Sequence, residues 1–111
     1  MTAPESGASG RIRHRVEEAD SAHALGNPGV HVLATPRLAD LCDRAAAAVV
    51  TEPTSHMRID IRHLAATPVG DTVEIDAVLE AVEDRRLVFR VSGRDSKRDI
   101  VVGRVERVLA R

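Results

Sequence analysis

Aromatic residues and cysteine are nearly absent from this chain of 111 residues. Phe89 is the one aromatic side chain, so the chain lacks the stacking platforms that bind single-stranded nucleic acid. Cys42 is the one cysteine, which excludes an intrachain disulfide framework and fits a reducing compartment. The longest apolar run, residues 45 to 50, falls far short of the roughly 20 residues that cross a bilayer. The net charge of -1 argues against a nucleic-acid surface. Together these features predict a cytoplasmic protein with neither a nucleic-acid nor a membrane partner.

Several catalytic and ligand-binding motifs are also missing. The sequence has no Gly-rich dinucleotide fingerprint, no phosphate-binding loop and no Gly-x-Ser-x-Gly elbow, which removes support for hydride transfer and nucleotide hydrolysis. The five histidines lack the spacing of metal ligands, and Cys42 belongs to an apolar helical stripe. We therefore expect no metal and no organic cofactor.

The composition that remains is that of one globular domain, with 43% hydrophobic and 30% charged residues. Residues 1 to 10 are mostly small and polar, and we interpret them as a disordered leader. Residues 11 to 111 then form a single domain, with room for a modest core but none for a separate cofactor domain. A small aliphatic core favours oligomers, because contact between subunits adds buried surface.

Thr35-Pro36 predicts the start of a long helix. A threonine hydroxyl can cap free amides, and proline at the first helical position lacks the amide that would stay unpaired. From there to about Val50, apolar residues recur at spacings of three and four and form a single stripe, which consists of Leu38, Leu41, Cys42, Ala45 and Val49. The helix therefore has one face to bury.

After Pro53 the sequence alternates with a period of two, which is typical of strands. Four strands follow, at about 56 to 64, 71 to 82, 86 to 93 and 99 to 109, after an earlier one that starts near Arg11. Short links between consecutive strands predict an antiparallel meander. One helix with one sheet to cover its stripe is an α+β layer arrangement.

His63 is the one polar residue that continues an apolar strand face. The period of two places Met57, Ile59, Ile61 and His63 on the same side of the strand. Burying an imidazole costs free energy unless a partner satisfies it, and the ordinary pKa of this side chain, about 6.5, suits proton transfer near neutrality. Taken alone, the residue fits either a catalytic group or a hydrogen-bonded core histidine.

Five short segments carry a family signal through their order and spacing: residues 19–22, 25–26, 32–36, 63–70 and 85–89. Together they resemble the hotdog-fold thioesterase family of the fluoroacetyl-CoA type. The run His-Leu-Ala-Ala-Thr-Pro-Val-Gly, which begins at His63, is the most specific of them. The resemblance implies a long helix wrapped by an antiparallel sheet, a homodimer paired edge to edge, and acyl-thioester sites at the dimer interface.

The resemblance also implies a catalytic set of Thr35, Asp43 and His63, and substrate contacts at Gly26 and His56. Simpler alternatives exist, because Thr35 also fits a helix cap, Asp43 a solvated carboxylate and His56 an exposed histidine at a strand start. Asp43 departs by about 140° from the apolar stripe. We therefore expect Asp43 to belong to a site only if a second subunit covers that face of the helix.

Two positions depart from the family pattern. The family usually carries glutamate where this chain has Asp43, which shortens the reach by about 1.5 Å, and a small residue where it has His56. The implied activity is hydrolysis of a small acyl thioester on coenzyme A or a carrier protein. The departures leave open an alternative, which is a hotdog protein that binds acyl thioesters without hydrolysis or catalyses another reaction on a thioester or polyketide-like substrate.

Overall fold

The computed structural model describes residues 4–110. Within them the chain forms one α-helix, α1 (Thr35–Ala47), a short 3-10 helix (Glu18–Asp20) and five strands. The strands are β1 (Ser9–Arg15), β2 (Thr54–His63), β3 (Thr72–Glu83), β4 (Arg86–Arg94) and β5 (Asp99–Leu109). The helix packs on the sheet and contacts every strand, so the α+β prediction is confirmed.

The sheet is antiparallel, with the strand order β1-β3-β4-β5-β2. Strands β3, β4 and β5 form the expected meander. The meander prediction is wrong for β2, which pairs with β5 at the far edge of the sheet. The short link that suggested a pair of β2 with β3 belongs to a crossover, residues 64–71, where the Thr67 carbonyl accepts a hydrogen bond from the Leu33 amide at 2.8 Å. β1 and β2 consequently form the two edges of the sheet.

The core is aliphatic apart from Phe89, and the helical stripe is buried from Leu38 to Ala45. The helix ends at Ala47, before the predicted Val50, because the chain turns there toward β2. The leader predicted for residues 1 to 10 is too long, since β1 already begins at Ser9. Backbone hydrogen bonds to β3 hold this stretch, and such contacts leave no side-chain pattern in the sequence. Residues 1–3 lie outside the described residues.

Strand β2 contains a bulge at Met57, between the pairs that His56 and Arg58 make with β5. A bulge inserts one extra residue and changes which residues face each side of the sheet. Ile59, Ile61 and His63 are half-buried, whereas Met57 is 54% exposed. The prediction of one continuous apolar face is therefore wrong for Met57. His56, on the other side of the bulge, turns toward α1.

Candidate active site

The first residue of α1 is joined to the last residue of β2. A hydrogen bond of 2.8 Å connects Thr35 Oγ1 and His63 Nδ1. The interpretation of Thr35 as a helix cap is wrong, because Ala34 occupies the N-cap position and offers no side-chain hydrogen bond. The threonine hydroxyl is committed to the histidine instead, and Pro36 spares the helix start one unpaired amide.

The second ring nitrogen of His63 is shielded from solvent, yet it has no hydrogen-bond partner among residues 4–110. A buried polar atom left unpaired costs about 1–3 kcal/mol. Whichever nitrogen carries the proton, Nε2 keeps one unused donor or acceptor position. The hydroxyl of Thr35 therefore orients an imidazole whose Nε2 is buried and has no partner in the described part of the chain.

The crossover that follows His63 is fixed by a buried polar contact. Thr67 Oγ1 donates a hydrogen bond to Asp95 Oδ2 at 2.9 Å, and both residues are buried. Burial opposes ionisation of Asp95, but hydrogen bonds from the Lys97 amide and the Thr67 hydroxyl outweigh it and lower the pKa of the carboxyl. The ionised Asp95 ties the turn between β4 and β5 to the crossover, which holds His63 in place at the end of β2.

Asp43 lies two turns after Thr35 on α1 and contacts β5. Its Oδ1 accepts a hydrogen bond from Arg107 Nη1 at 2.6 Å and lies 3.5 Å from His56 Nδ1. Its side chain is 23% exposed, so the carboxylate is half-buried rather than solvated. The prediction from the apolar stripe took account of α1 alone. In the structure, β5 lies against this face of the helix and partly covers Asp43.

Arg107 was not expected from the sequence. Its guanidinium donates to Thr54 Oγ1 at 2.7 Å and to the Thr54 carbonyl at 2.9 Å, in addition to its bond to Asp43. A signal for it existed, because alternate positions before it on β5 belong to the core face: Val101, Gly103 and Val105. Arg107 thus continues an apolar face with a polar group, as His63 does on β2.

The structure brings the expected site residues together in two pairs rather than in one cluster. Thr35 meets His63, and Asp43 meets His56, whereas no hydrogen bond or ion pair among residues 4–110 joins the two pairs. Between Thr35 and Asp43 the helix rises about 12 Å, at about 1.5 Å per residue. Gly26 lies apart in a turn, with a φ of +102°, and its part in substrate binding stays a prediction.

Cys42, the one cysteine of the chain, is poorly suited to act as a nucleophile. Burial raises the pKa of the Cys42 thiol to about 12, so the thiolate is scarce at neutral pH. Among residues 4–110, no group of three or more His, Cys, Asp or Glu side chains is arranged to hold a metal ion. In the same part of the chain, no helix has both the length and the apolar character needed to span a membrane.

Comparison with known proteins connects these residues to a family. The family model for fluoroacetyl-CoA-specific thioesterase matches residues 16–111. The chain belongs to this family. A relative, the fluoroacetyl-CoA thioesterase of Streptantibioticus cattleyicolor, is 47% identical over 51 residues, which make up 46% of this chain and 37% of that enzyme. The match thus spans a little over a third of the relative's length.

Solved structures of the thioesterase family and of other hotdog proteins share the fold. A single-residue mutant of the fluoroacetyl-CoA-specific thioesterase is 30% identical and covers 99% of this chain and 90% of its own, with a TM-score of 0.88. The same mutant in complex with fluoroacetate and CoA covers 96% and 94%, with a TM-score of 0.86. A hot-dog-like protein from Thermanaerovibrio acidaminovorans, 20% identical, covers 95% and 82%, with a TM-score of 0.84. The predicted family and hotdog fold are confirmed.

Proposed function

We propose that this protein hydrolyses the thioester of a small acyl group on coenzyme A or on a carrier protein. The Thr35–His63 pair carries this proposal, because its 2.8 Å hydrogen bond orients an imidazole whose Nε2 is buried and unengaged. Family membership supports it, as does the related thioesterase solved with fluoroacetate and CoA. We also propose that the domain that begins with β1, at Ser9, is the catalytic domain and that the protein acts in the cytoplasm.

The active form in this proposal is a homodimer, and each site combines Thr35 and His63 of one subunit with Asp43 of the other. His56, which contacts Asp43, and His63 lie seven steps apart along β2, roughly 20 Å in an extended strand. The two pairs of one chain are therefore too far apart to act on one carbonyl group. A second subunit is needed to complete the site.

Strand β2 is the surface that suits this pairing. It is an edge strand, with the Thr35–His63 pair at one end and the Asp43–His56 pair near the other. Antiparallel pairing of β2 with its own copy about a two-fold axis sets the beginning of one strand beside the end of the other. Each pair then faces the complementary pair of the partner subunit.

The opposite edge of the sheet is less suited to self-association. Three arginines alternate along β1, at Arg11, Arg13 and Arg15, and such like charges on an edge strand discourage edge-to-edge contact. The charged residues that alternate along β2 include both signs, at Arg58, Asp60 and Arg62. At the β2 edge, in contrast, two apolar side chains are exposed: Met57, on the strand, is 54% exposed, and Leu64, just after it, is 49% exposed. Pairing through β2 buries these apolar side chains, which favours that edge.

In the proposed mechanism Asp43 acts as general base for a water molecule, or as nucleophile, at the thioester carbonyl. His63 Nε2 delivers a proton to the departing sulfur, and Thr35 holds the ring in the orientation for that transfer. Backbone amides at the start of α1 stabilise the oxyanion, because the positive end of the helix dipole lies there. The products are a free carboxylic acid and a thiol.

One observation favours a second function, which is binding of an acyl thioester without hydrolysis or with another reaction. Arg107 already occupies Asp43 Oδ1 at 2.6 Å, and aspartate reaches less far than the glutamate usual in the family. A carboxylate held in this way fits a structural role in a binding site as well as a catalytic one.

Thiol release over a panel of acyl-CoA esters tests the proposal and separates the two functions. Hydrolysis predicts one thiol for each ester consumed and one free acid by mass spectrometry. Calorimetric binding of a small acyl-CoA with no thiol released over hours supports the second function and contradicts the first.

A further inference from the structure

The cluster around Asp43 contains a second histidine that the mechanism above leaves unused. His56 Nδ1 lies 3.5 Å from Asp43 Oδ1, within ion-pair distance. The same carboxylate oxygen accepts the 2.6 Å hydrogen bond from Arg107. The guanidinium of Arg107 and the imidazole of His56 therefore approach the same carboxylate oxygen of Asp43.

Asp43 is poorly placed to meet a substrate directly. Its side chain extends from α1 toward β5 and is half-buried, and one of its oxygens already accepts a hydrogen bond from Arg107. It is also one methylene shorter than glutamate, a loss of about 1.5 Å in reach. A misplacement of about 1 Å is enough to cost about a hundredfold in rate. A group further out is needed to carry the effect of this carboxylate to a thioester.

His56 stands in the outer position that Asp43 does not reach. Its side chain is 49% exposed at the β2 edge, where the proposed partner subunit contributes its Thr35–His63 pair. With Nδ1 turned toward Asp43, Nε2 points away from the carboxylate, because the two nitrogens lie on opposite edges of the ring. A carboxylate beside Nδ1 favours the tautomer with the proton there and leaves Nε2 as a proton acceptor.

We infer that His56 is the general base of this site, with Asp43 as the residue that orients it and Arg107 as the residue that holds Asp43. The inference rests on the proposed hydrolysis and replaces Asp43 by His56 as the group that takes the proton in its first step. Water transfers a proton to His56 Nε2 while its oxygen bonds to the carbonyl carbon. The carbon–sulfur bond then breaks, sulfur takes a proton from His63, and the proton on His56 returns through solvent to His63.

Steady-state thiol release by the full chain tests this assignment through two substitutions at His56. His56→Gln keeps a polar side chain of similar size, and we expect kcat to fall about a hundredfold with little change in KM. We expect the kcat of His56→Gly to fall to a similar level. Added imidazole then restores the rate in a saturable manner, because the free base occupies the vacated space. His14→Gly, a matched change of a strand histidine on β1, shows neither the loss nor the rescue.

Double variants test whether Asp43 acts through His56. If the two residues work as a unit, Asp43→Asn combined with His56→Gln is no slower than either single variant. Asp43→Glu combined with His56→Gly supplies the longer acid and the space for it. We expect this pair to regain about tenfold or more over His56→Gly alone, because the carboxylate then reaches the water directly.

Failure of the inference is distinguishable from failure of the proposed function. A parent protein that binds acyl-CoA but releases no thiol overturns the hydrolysis and the inference with it. A parent that hydrolyses acyl-CoA, together with a His56→Gln variant of unchanged kcat, overturns the inference and leaves the hydrolysis standing. A His56→Gly variant that imidazole does not rescue has the same meaning.

Discussion

The two ends of β2 each present a histidine to α1, but the surroundings of these histidines differ. At one end, among residues 4–110, the His63 ring bonds only to the Thr35 hydroxyl and keeps a buried nitrogen unpaired. At the other end His56 approaches a carboxylate that Arg107 already binds. The first end leaves hydrogen-bonding capacity unused, and the second has a network of charge-assisted bonds.

This difference predicts that the two ends of β2 contribute unequally to the stability of the fold. An unpaired buried atom, as at the Thr35–His63 end, lowers the stability of the fold. The bonds of Arg107 to Asp43 and Thr54 stabilise the fold without any ligand. Substitutions that break contacts at the two ends are therefore expected to differ in how much stability they cost.

The largest expected effect is on the rate after His63→Ala. We expect kcat/KM to fall about a thousandfold, because the variant loses the proton-transfer group. The free energy of unfolding changes by less than about 1 kcal/mol, since lost packing and relief of the unpaired nitrogen oppose each other. His14→Ala on β1 is the matched control and keeps the parent rate. A folded His63→Ala variant with parent activity removes the catalytic assignment.

Arg107→Leu tests the other end of β2 through stability. We expect a loss of about 3 kcal/mol in urea denaturation, because the change breaks an ion pair and two further hydrogen bonds in a largely buried place. The control is Arg104→Leu, on β5 like Arg107. It breaks an exposed ion pair with Glu80 of β3, and we expect a much smaller loss. Equal losses for the two variants contradict a structural role for Arg107.

A smaller effect is expected in the crossover that holds His63. Thr67→Val removes the hydroxyl that donates to Asp95 and leaves a buried carboxylate oxygen without a partner. The expected loss in the free energy of unfolding is about 1–2 kcal/mol. Thr51→Val, where the hydroxyl meets only the surface residue Glu52, leaves the denaturation midpoint unchanged. Unfolding curves that coincide for Thr67→Val and the parent show that the contact is dispensable.

The smallest expected effect is on the thermal stability of the protein at low pH. The pKa of Asp95 lies below its ordinary value of 3.8, so this carboxylate stabilises the fold above about pH 4, and the contribution is lost as pH falls through the lowered pKa. Asp95→Asn has no such group to titrate. The gap in Tm between parent and variant therefore narrows from pH 7 toward pH 3. A gap that stays constant or widens contradicts the direction of the shift.

Much of the fold was predictable because its strands alternate strictly between core and solvent. Alternation located β2 to β5 to within two residues at each end, and the stripe on α1 identified the face that the sheet covers. Strand order was not predictable in this way, since pairing of β2 with β5 depends on a crossover whose path side-chain patterns do not record.

The residues of the proposed site could be named from the sequence, whereas their contacts could not. His63 was found because an imidazole interrupts an apolar face, and its bond to Thr35 replaces the expected helix cap. The contact of His56 with Asp43 depends on the bulge at Met57, which the alternation rule does not anticipate. Arg107 on β5, like His63 on β2, is a polar residue that continues an apolar strand face. Inspection of the β5 face residue by residue identifies it.

The central claim is that each site is shared between two subunits, and mixing two inactive variants tests it directly. His63→Ala and Asp43→Asn are each expected to be nearly inactive as homodimers. When the two are unfolded together and refolded at equal amounts, half of the dimers are mixed, and each mixed dimer holds one intact site. We predict recovery of about a quarter of the parent activity. Activity no greater than the sum of the two variants places both residues in a site within one chain and contradicts the claim.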